Sequence, residues 1–218
     1  MRVISPLLNR LKNKRLIGHS YHKNYYYYGL LTEHYNDFSE YLRVIDMYQK
    51  KESVGTNKTI ALQEDFLFNF DNKSQISRKF KNSDFKTRIQ KNKLDIKIYF
   101  YKIIIGGYKV RLEIHQCHRK MFYCNYTFTS FLNHKQHQEI TKIIQEKYLD
   151  GLPIDTDTQS IIDTDQTQLV VENGLELKIH YISTNSAPIK ALSVHQETHT
   201  NKKVRVMARM QHELRTNL

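Results

Sequence analysis

The 218-residue chain carries 34 lysine and arginine residues against 22 acidic residues, which gives a formal net charge of +12. This length is sufficient to bury a hydrophobic core, and the charge favours a polyanionic partner whose phosphates it can neutralise. Two cysteines are too few for a framework of several disulfides, and no apolar run approaches the roughly 18 residues of a membrane-spanning helix. We therefore expect a protein of a reducing compartment that does not cross a membrane.

The positive charge is concentrated in the first half of the chain. Residues 1–120 carry 24 basic and 11 acidic side chains, whereas residues 121–218 carry 10 and 11. Six basic residues precede the first acid, Glu33: Arg2, Arg10, Lys12, Lys14, Arg15 and Lys23. This pattern is typical of a mitochondrial transit peptide and predicts the mitochondrial matrix. A basic tail on a protein of the bacterial cytoplasm is the alternative.

The first hundred residues show few regular elements. Residues 1–37 have no steady hydrophobic period and are predicted to be irregular. Apolar side chains recur at helical spacing from Phe38 to Lys50, which predicts a short helix. Residues 71–93 are rich in Lys, Asn and Ser, so we expect an exposed basic linker or a segment that becomes ordered only against RNA.

A β-hairpin over residues 94–116 is predicted around Gly106 and Gly107. These glycines separate an apolar run, Leu94 to Ile105, from an alternating run, Tyr108 to His115. Pairing across the turn places six apolar side chains on one buried face: Tyr99, Tyr101, Ile103, Val110, Leu112 and Ile114.

Strands and helices alternate in the second half. A strand from Met121 to Thr129 is predicted to lead into a helix from Asn133 to Leu149, whose apolar stripe comprises Ile140, Ile143, Ile144 and Tyr148. An acidic, solvated insertion follows at 150–174. The remaining predicted elements are strands at Gln168–Glu172 and Leu175–Ser183 around Asn173-Gly174, a strand at Ala191–Gln196 and a helix from about Lys202 to His212.

Three groups of residues have the chemistry of a metal site. Paired acids suit a hard cation, and the same region has the spacing of a metal-dependent nuclease core in which a lysine assists the attacking water. Cysteine and histidine together suit zinc. The candidates for a hard cation such as calcium are Asp155, Asp157, Asp163 and Asp165. The nuclease candidates are Asp163, Asp165, Glu176 and Lys178, and the zinc candidates are His115, Cys117, His118 and Cys124. Solvated loop acids, an amphipathic strand and turn histidines explain them more simply, so we predict no metal, no cofactor and no catalytic site.

Two blocks near the end of the chain carry a family resemblance. His199-Thr200-Asn201-Lys202-Lys203-Val204-Arg205 precedes Glu213-Leu214-Arg215-Thr216. Together they resemble the signature of the small-subunit ribosomal protein S-ten family (bacterial NusE), in which H-x-N-K-K-x-R opens a helix and E-x-R-T follows. Leu192-Ser193-Val194 stands where the family has a strand reading F-T-V, and Ser130-Phe131 with Asn133-His134 looks like the family's S-F-D-H.

The resemblance covers residues 121–218 and implies an α+β fold, a ferredoxin-like β-α-β-β-α-β sandwich. Residues 1–120 would then be a basic N-terminal extension containing the hairpin. The implied function is that of a structural constituent of the mitochondrial small ribosomal subunit, without enzymatic activity or a small-molecule substrate. Its partners would be ribosomal RNA and neighbouring small-subunit proteins in the subunit head, with no membrane among them. Thr198 replaces a family proline, and four extra residues separate the two blocks, as expected of an organellar member.

The predicted RNA contacts lie at both ends of the chain. Lysines at a helix start combine cationic side chains with free backbone N–H groups, which suits phosphate. The predicted RNA-binding residues are His199, Asn201, Lys202, Lys203, Arg205, Arg209, Arg215, Arg10, Lys12, Lys14 and Arg15. A metal-dependent nuclease, or an accessory protein of a bacterial defence or mobile-element complex, is the alternative function.

Overall fold

The computed structural model describes residues 27–62, 80, 82–195 and 210. The helices are α1 (residues 27–36), α2 (Ser39–Gln49), α3 (His134–Leu149) and α4 (residues 187–195). The strands are β1 (Glu52–Gly55), β2 (Phe85–Lys91), β3 (Leu94–Ile105), β4 (Tyr108–Cys117), β5 (Lys120–Phe128), β6 (Gln159–Ile162), β7 (Thr167–Glu172) and β8 (Lys178–Ser183). No helix within these described ranges is long and apolar enough to span a bilayer.

All eight strands form one mixed sheet in the order β1-β6-β7-β8-β5-β4-β3-β2. β1 and β6 are parallel, and every other neighbouring pair is antiparallel. The predicted α+β class is therefore confirmed. The ferredoxin-like arrangement is not, because the sheet has more strands than that fold and the order from β5 to α4 is β-α-β-β-β-α.

Both faces of the sheet carry a hydrophobic core. The α3 face, covered by α3 and by residues 60–62, buries Leu112, Ile114 and Cys124. The α2 face, covered by α1, α2 and α4, buries a second set that includes Ile98 and Phe100. Such double coverage requires apolar side chains at successive strand positions, because neighbouring residues point to opposite faces.

The Gly106-Gly107 hairpin has the predicted register. Tyr99 lies opposite Ile114, Tyr101 opposite Leu112 and Ile103 opposite Val110. The expectation of a single buried face is wrong, since the even-numbered residues of β3 pack under the helices of the α2 face: Ile96, Ile98 and Phe100.

The predicted basic linker contains an edge strand, β2, at Phe85–Lys91. Its side chains alternate: Phe85 and Ile89 pack on the α2 face, whereas Lys86 and Arg88 are exposed. The composition of this segment concealed an alternation of period two, which is the better indicator of a half-buried strand. Residues 71–79 and 81 lie outside the described part.

The first element, α1, corrects the prediction that residues 1–37 are irregular. Tyr28, Thr32 and Tyr35 recur at helical spacing and are all buried. The helix predicted at 38–50 is confirmed as α2, and Phe38 between the two helices takes a positive φ of 69°. The two helices thus form one buried layer on the α2 face.

The expected boundary at residue 120 falls inside a hairpin. β4 and β5 are adjacent antiparallel strands joined at His118 and Arg119. β2, β3 and β4 therefore hydrogen-bond into the same sheet as β5 and β8, so the first 120 residues supply half of its strands.

The Asp- and Thr-rich segment at 150–174 is not a solvated insertion. It contributes β6 and β7, and Ile161, Leu169 and Val170 are almost wholly buried. The predicted hairpin is present, with residues 173–177 between β7 and β8. Apolar β-branched residues between the acids determine this outcome, because they favour a strand that packs on both faces.

The strand predicted at Ala191–Gln196 is wrong, because 187–195 form α4. Pro188 stands in the first turn, where its missing N–H costs nothing, and Ser186 O accepts the N–H of Lys190 at 3.1 Å. Ile189 and Leu192, three residues apart, are both buried in this helix, as is Pro188. Leu192-Ser193-Val194 therefore does not form the strand that the family resemblance requires there.

The helix predicted from Asn133 to Leu149 is confirmed as α3, with Asn133 as its N-cap. Asn133 Oδ1 accepts the N–H of Gln136 at 3.0 Å, and Gln136 Oε1 accepts the N–H of Asn133 at 2.9 Å. Of the predicted stripe, Ile140, Ile144 and Tyr148 are buried, whereas Ile143 is 60% exposed.

Replacing Asn133 with alanine should lower the free energy of unfolding by about 1 kcal/mol, because the N–H of Gln136 loses the side-chain oxygen that caps it. Urea unfolding followed by circular dichroism measures the change. Lys135→Ala, an exposed substitution on the same helix, is the control and should alter stability by less than about 0.5 kcal/mol.

Candidate nucleic-acid interface

None of the eleven predicted RNA-binding residues belongs to the described part of the chain. His199, Asn201, Lys202, Lys203, Arg205, Arg209 and Arg215 lie beyond residue 195, and Arg10, Lys12, Lys14 and Arg15 lie before residue 27. Their contribution to RNA binding stays a prediction. The described residues nevertheless contain a cationic surface that the sequence did not single out.

Two tight turns lie side by side at one end of the sheet. One joins β2 to β3 through Asn92 and Lys93, and the other joins β4 to β5 through His118 and Arg119. They share an end because Ile96, near the start of β3, lies opposite Cys117 at the end of β4. All four turn residues have positive φ, between 50° and 68°. This matches the two-residue hairpin turns whose twist suits antiparallel strands.

These turns form a basic end, defined here as Lys91, Lys93, His118, Arg119 and Lys120. All five side chains are exposed. Lys91 also lies over the ring of Phe38, with its Nζ 5.3 Å from the ring centroid, so the α1–α2 connection supports one side of the cluster. Four exposed lysine and arginine side chains in and beside two adjacent turns create a local positive potential that attracts phosphate.

The cationic surface continues along β2 and β3 on the α3 face. Lys86 lies opposite Tyr99, and Arg88 lies opposite Lys97. Two like charges directly opposite destabilise a sheet, and Asp95 relieves this pair by accepting two hydrogen bonds from Arg88 at 2.6 and 2.8 Å. The β2–β3 ribbon thereby presents lysines and a tyrosine ring, the combination that binds phosphate and stacks on bases.

A second group of functional side chains is a buried polar network on the α2 face. Arg111 Nε donates to Glu113 Oε1 at 2.8 Å, and Tyr35 OH donates to Glu113 Oε2 at 2.6 Å. His115 Nε2 lies 3.7 Å from the same carboxylate, and Tyr41 OH lies 2.7 Å from His115 Nδ1. Arg111, Glu113 and His115 alternate along β4, so all three face the helices.

The network continues toward β7 and the surface. Tyr123 OH lies 2.8 Å from His180 Nδ1, and His180 Nε2 lies 2.9 Å from Glu172 Oε2. Because a carboxylate only accepts, His180 Nε2 is the donor and Tyr123 OH donates to Nδ1. Arg43 of α2 reaches Glu172 with two hydrogen bonds, at 2.8 and 3.0 Å. These bonds tie the helical layer to the sheet.

The electrostatics of the network favour charged carboxylates and neutral imidazoles. Burial by itself raises the pKa of Glu113, but His115, Arg111 and Tyr35 favour the charged form and lower it to about 2. Glu172 likewise has a pKa well below its usual range despite burial, because of His180 and Arg43. Burial lowers the pKa of both His115 and His180. α1 and α2 cover this network, so its hydrogen bonds hold the two helices on the sheet.

No family model, curated protein or solved structure matches this chain. The chemistry of its own residues must therefore carry the functional argument.

The residues of the nuclease alternative are not brought together. Asp163 is buried, and its two oxygens accept the backbone N–H groups of Thr167 and Ile60, each at 2.8 Å. Asp165 lies in the turn before β7, whereas Lys178 lies opposite Glu172 at the far end of that strand. Five residues of strand separate these ends by about 17 Å, too far for one metal centre.

The zinc and calcium candidates are also dispersed. His115 belongs to the α2 face and Cys124 to the α3 face, so the sheet lies between them. Asp155 instead closes its own turn, accepting from Asp157 N and Thr158 Oγ1, and Asp157 accepts from Asn173. Within the described ranges, no group of three His, Cys, Asp or Glu side chains has the spacing of a metal site.

The basic end could have been found from the sequence by one signal. Asn92-Lys93 and His118-Arg119 each separate two runs with strand character, which marks a two-residue hairpin turn. Two such turns, one on each side of the 94–116 hairpin, must lie at its open end, opposite Gly106-Gly107. The buried network gave no comparable signal, since Tyr35, Glu113 and Glu172 are far apart in the sequence.

Proposed function

We propose that this protein binds RNA without catalysis, as a structural constituent of the mitochondrial small ribosomal subunit, and that the basic end forms part of the RNA contact. The observation that carries the RNA contact is the clustering of Lys91, Lys93, Arg119 and Lys120 in and beside two adjacent tight turns. The ribosomal assignment is supported by the sequence blocks at 199–205 and 213–216, and a ferredoxin-like core would have to be embedded in the larger sheet.

The β2–β3 ribbon extends this contact. An RNA strand that crosses the basic end can continue past Lys97 to Lys86, where the half-buried ring of Tyr99 lies opposite Lys86 and offers its exposed part for stacking. Phosphate contacts of this kind position the protein without reading sequence. The expected binding is therefore strong at low salt, weakly dependent on RNA sequence, and steeply reduced by salt.

Substituting the four cations of the basic end with glutamine tests the RNA contact. K91Q/K93Q/R119Q/K120Q should lower the slope of log affinity against log salt by about 3, because each phosphate contact to a single strand contributes about 0.7. Fluorescence anisotropy of a labelled single-stranded RNA over a series of salt concentrations gives this slope.

The matched control removes the same formal charge elsewhere. K50Q/K58Q/K135Q/K142Q substitutes lysines outside the basic end and the β2–β3 ribbon: one directly after α2, one after β1 and two in α3. Its slope should change by less than about 1. An equal loss in both variants would show that net charge alone binds RNA, and the basic end would then have no special part.

Co-sedimentation tests whether the protein is part of the small ribosomal subunit. The chain, expressed with a tag in mitochondria, should migrate with the small ribosomal subunit in a sucrose gradient, and salt should release the quadruple variant more readily than the control. A chain that stays at the top of the gradient contradicts the ribosomal assignment, even if RNA binding in solution persists.

A further inference from the structure

The end of the sheet opposite the basic end is apolar. It is formed by the Gly106-Gly107 turn between β3 and β4, where Ile104 is 73% exposed and Ile105 is 40% exposed. Both glycines have positive φ, so the turn carries no side chain larger than hydrogen and the isoleucines form its apex. Exposed large apolar side chains at the tip of a projecting hairpin are a costly arrangement in water.

The two isoleucines point to opposite faces of the sheet. Ile104 follows Phe100 and Lys102 on the α2 face, whereas Ile105 follows Tyr101 and Ile103 on the α3 face. A partner that packs on one face can bury only one of them. A lipid interface surrounds the tip and can therefore bury both isoleucines.

Apolar surface extends from the tip toward α3. Ile105 and Ile143 line the same cavity, of about 530 Å³, together with Gly106, Tyr108 and Phe128. Ile143 is 60% exposed on the helix surface beside it. The tip is thus the apex of a larger apolar area.

Lysines border this area. Lys109 lies directly opposite Ile104, and Lys102 lies two residues before it on the same face. Lys147 stands at the cavity that Ile105 and Ile143 line. Residues 101–110 carry Lys102 and Lys109 and no carboxylate, although Asp84, just before β2, accepts the N–H of Lys102 at 2.7 Å. On α3, the exposed Glu139 and Glu146 lie four residues before and three residues after Ile143. The positive charge that complements a negatively charged surface is therefore the pair of lysines at the tip, with Lys147 beside the cavity.

We propose that the β3–β4 tip docks on an anionic lipid surface, with Ile104, Ile105 and Ile143 entering the interface and Lys102, Lys109 and Lys147 contacting lipid phosphates. This goes beyond the RNA-binding function and uses the opposite end of the sheet. Apolar side chains bind at the boundary of headgroups and acyl chains, where the polar peptides of the turn remain hydrated. Basic residues add an attraction that depends on anionic lipid.

A single tryptophan reports on the tip, because the sequence contains none. Ile104→Trp should show a blue shift of its emission with vesicles of phosphatidylcholine containing about 30% phosphatidylglycerol, and no shift with phosphatidylcholine alone. Leu152→Trp, at a position that is 67% exposed between α3 and β6, is the control and should show no shift with either vesicle.

Vesicle co-sedimentation gives the affinity. Ile104→Ser should weaken binding by about tenfold, since a buried isoleucine side chain is lost from the interface, whereas Leu152→Ser should not change it. K109Q/K147Q should weaken binding to anionic vesicles more than K135Q/K142Q, its charge-matched control on α3. The K91Q/K93Q/R119Q/K120Q variant, altered only at the RNA-binding end, should keep its vesicle affinity.

Several results overturn the proposal. Co-sedimentation in which the emission of Ile104→Trp shifts no more than that of Leu152→Trp would assign membrane binding to another surface. An equal shift with neutral vesicles would remove the role of the lysines. Loss of vesicle binding in the basic-end variant, or no vesicle binding at all, would likewise reject docking through the tip.

Discussion

Replacing Glu113 with glutamine is expected to lower the free energy of unfolding by about 3–5 kcal/mol. The substitution keeps the size of the side chain and removes its charge, so the almost fully buried guanidinium of Arg111 loses its counter-ion. An uncompensated buried charge is among the most costly defects in a folded protein. Urea unfolding at neutral pH, followed by circular dichroism, measures the difference.

Two variants separate this mechanism from a general loss of packing. Asp95→Asn breaks an arginine–carboxylate pair of similar geometry at the surface, between Arg88 and Asp95, and should change stability little. R111M/E113Q removes both charges and should be less destabilised than Glu113→Gln alone. A double variant that is less stable than the single one would contradict an unpaired arginine as the cause.

Lowering the pH is expected to destabilise the protein in two stages. Burial holds the pKa values of His115 and His180 below the ordinary 6.5, so these imidazoles stay neutral in the folded state at a pH where they are protonated in the unfolded state. The free energy of unfolding therefore falls as the pH drops below about 6.5. Glu113 has its pKa lowered from 4.5 to about 2, and Glu172 is shifted in the same direction. Their stabilisation is present above pH 4.5 and is lost as the pH falls toward 2.

The second stage has an expected size for one residue, Glu113. The shift of Glu113 corresponds to about 3 kcal/mol, at about 1.4 kcal/mol for each pKa unit. Urea unfolding at a series of pH values from 7 to about 3 gives the profile. In Glu113→Gln the slope below pH 4.5 should be smaller, because the carboxylate that titrates is gone. A variant with the wild-type slope in that range would assign the acid sensitivity to other groups.

The two ends of the sheet suggest a division of roles that follows from strand direction. Turns at one end of the β2–β5 meander carry the cations, and the single turn at the other end carries the isoleucines. Both surfaces belong to the same sheet, and the polar network around Glu113 ties the helices of the α2 face to that sheet. The proposed RNA and lipid contacts therefore do not compete for the same residues.

Local patterns predicted individual elements well. The register around Gly106-Gly107, the helix at His134–Leu149 and the helix at Ser39–Gln49 all follow from interactions within about four residues or across one tight turn. Composition was a poorer guide: it led us to miss β2 in a lysine-rich segment and β6 in an Asp- and Thr-rich one, whereas the strand predicted at Gln168–Glu172 is confirmed as β7. The resemblance of 192–194 to a family strand also failed, because Pro188, Ile189 and Leu192 favour a helix.

The sequence by itself determined the net charge, the α+β class, the central hairpin and α3, because these depend on composition and on short-range periodicity. Only the tertiary structure joined the first 120 residues to the rest in one eight-stranded sheet, and only it placed Tyr35, Glu113 and His115 in contact. It likewise separated Asp165 from Lys178 and brought Lys93 beside Arg119. Strand pairing between distant segments decides each of these outcomes, and a single sequence carries little record of which strands will pair.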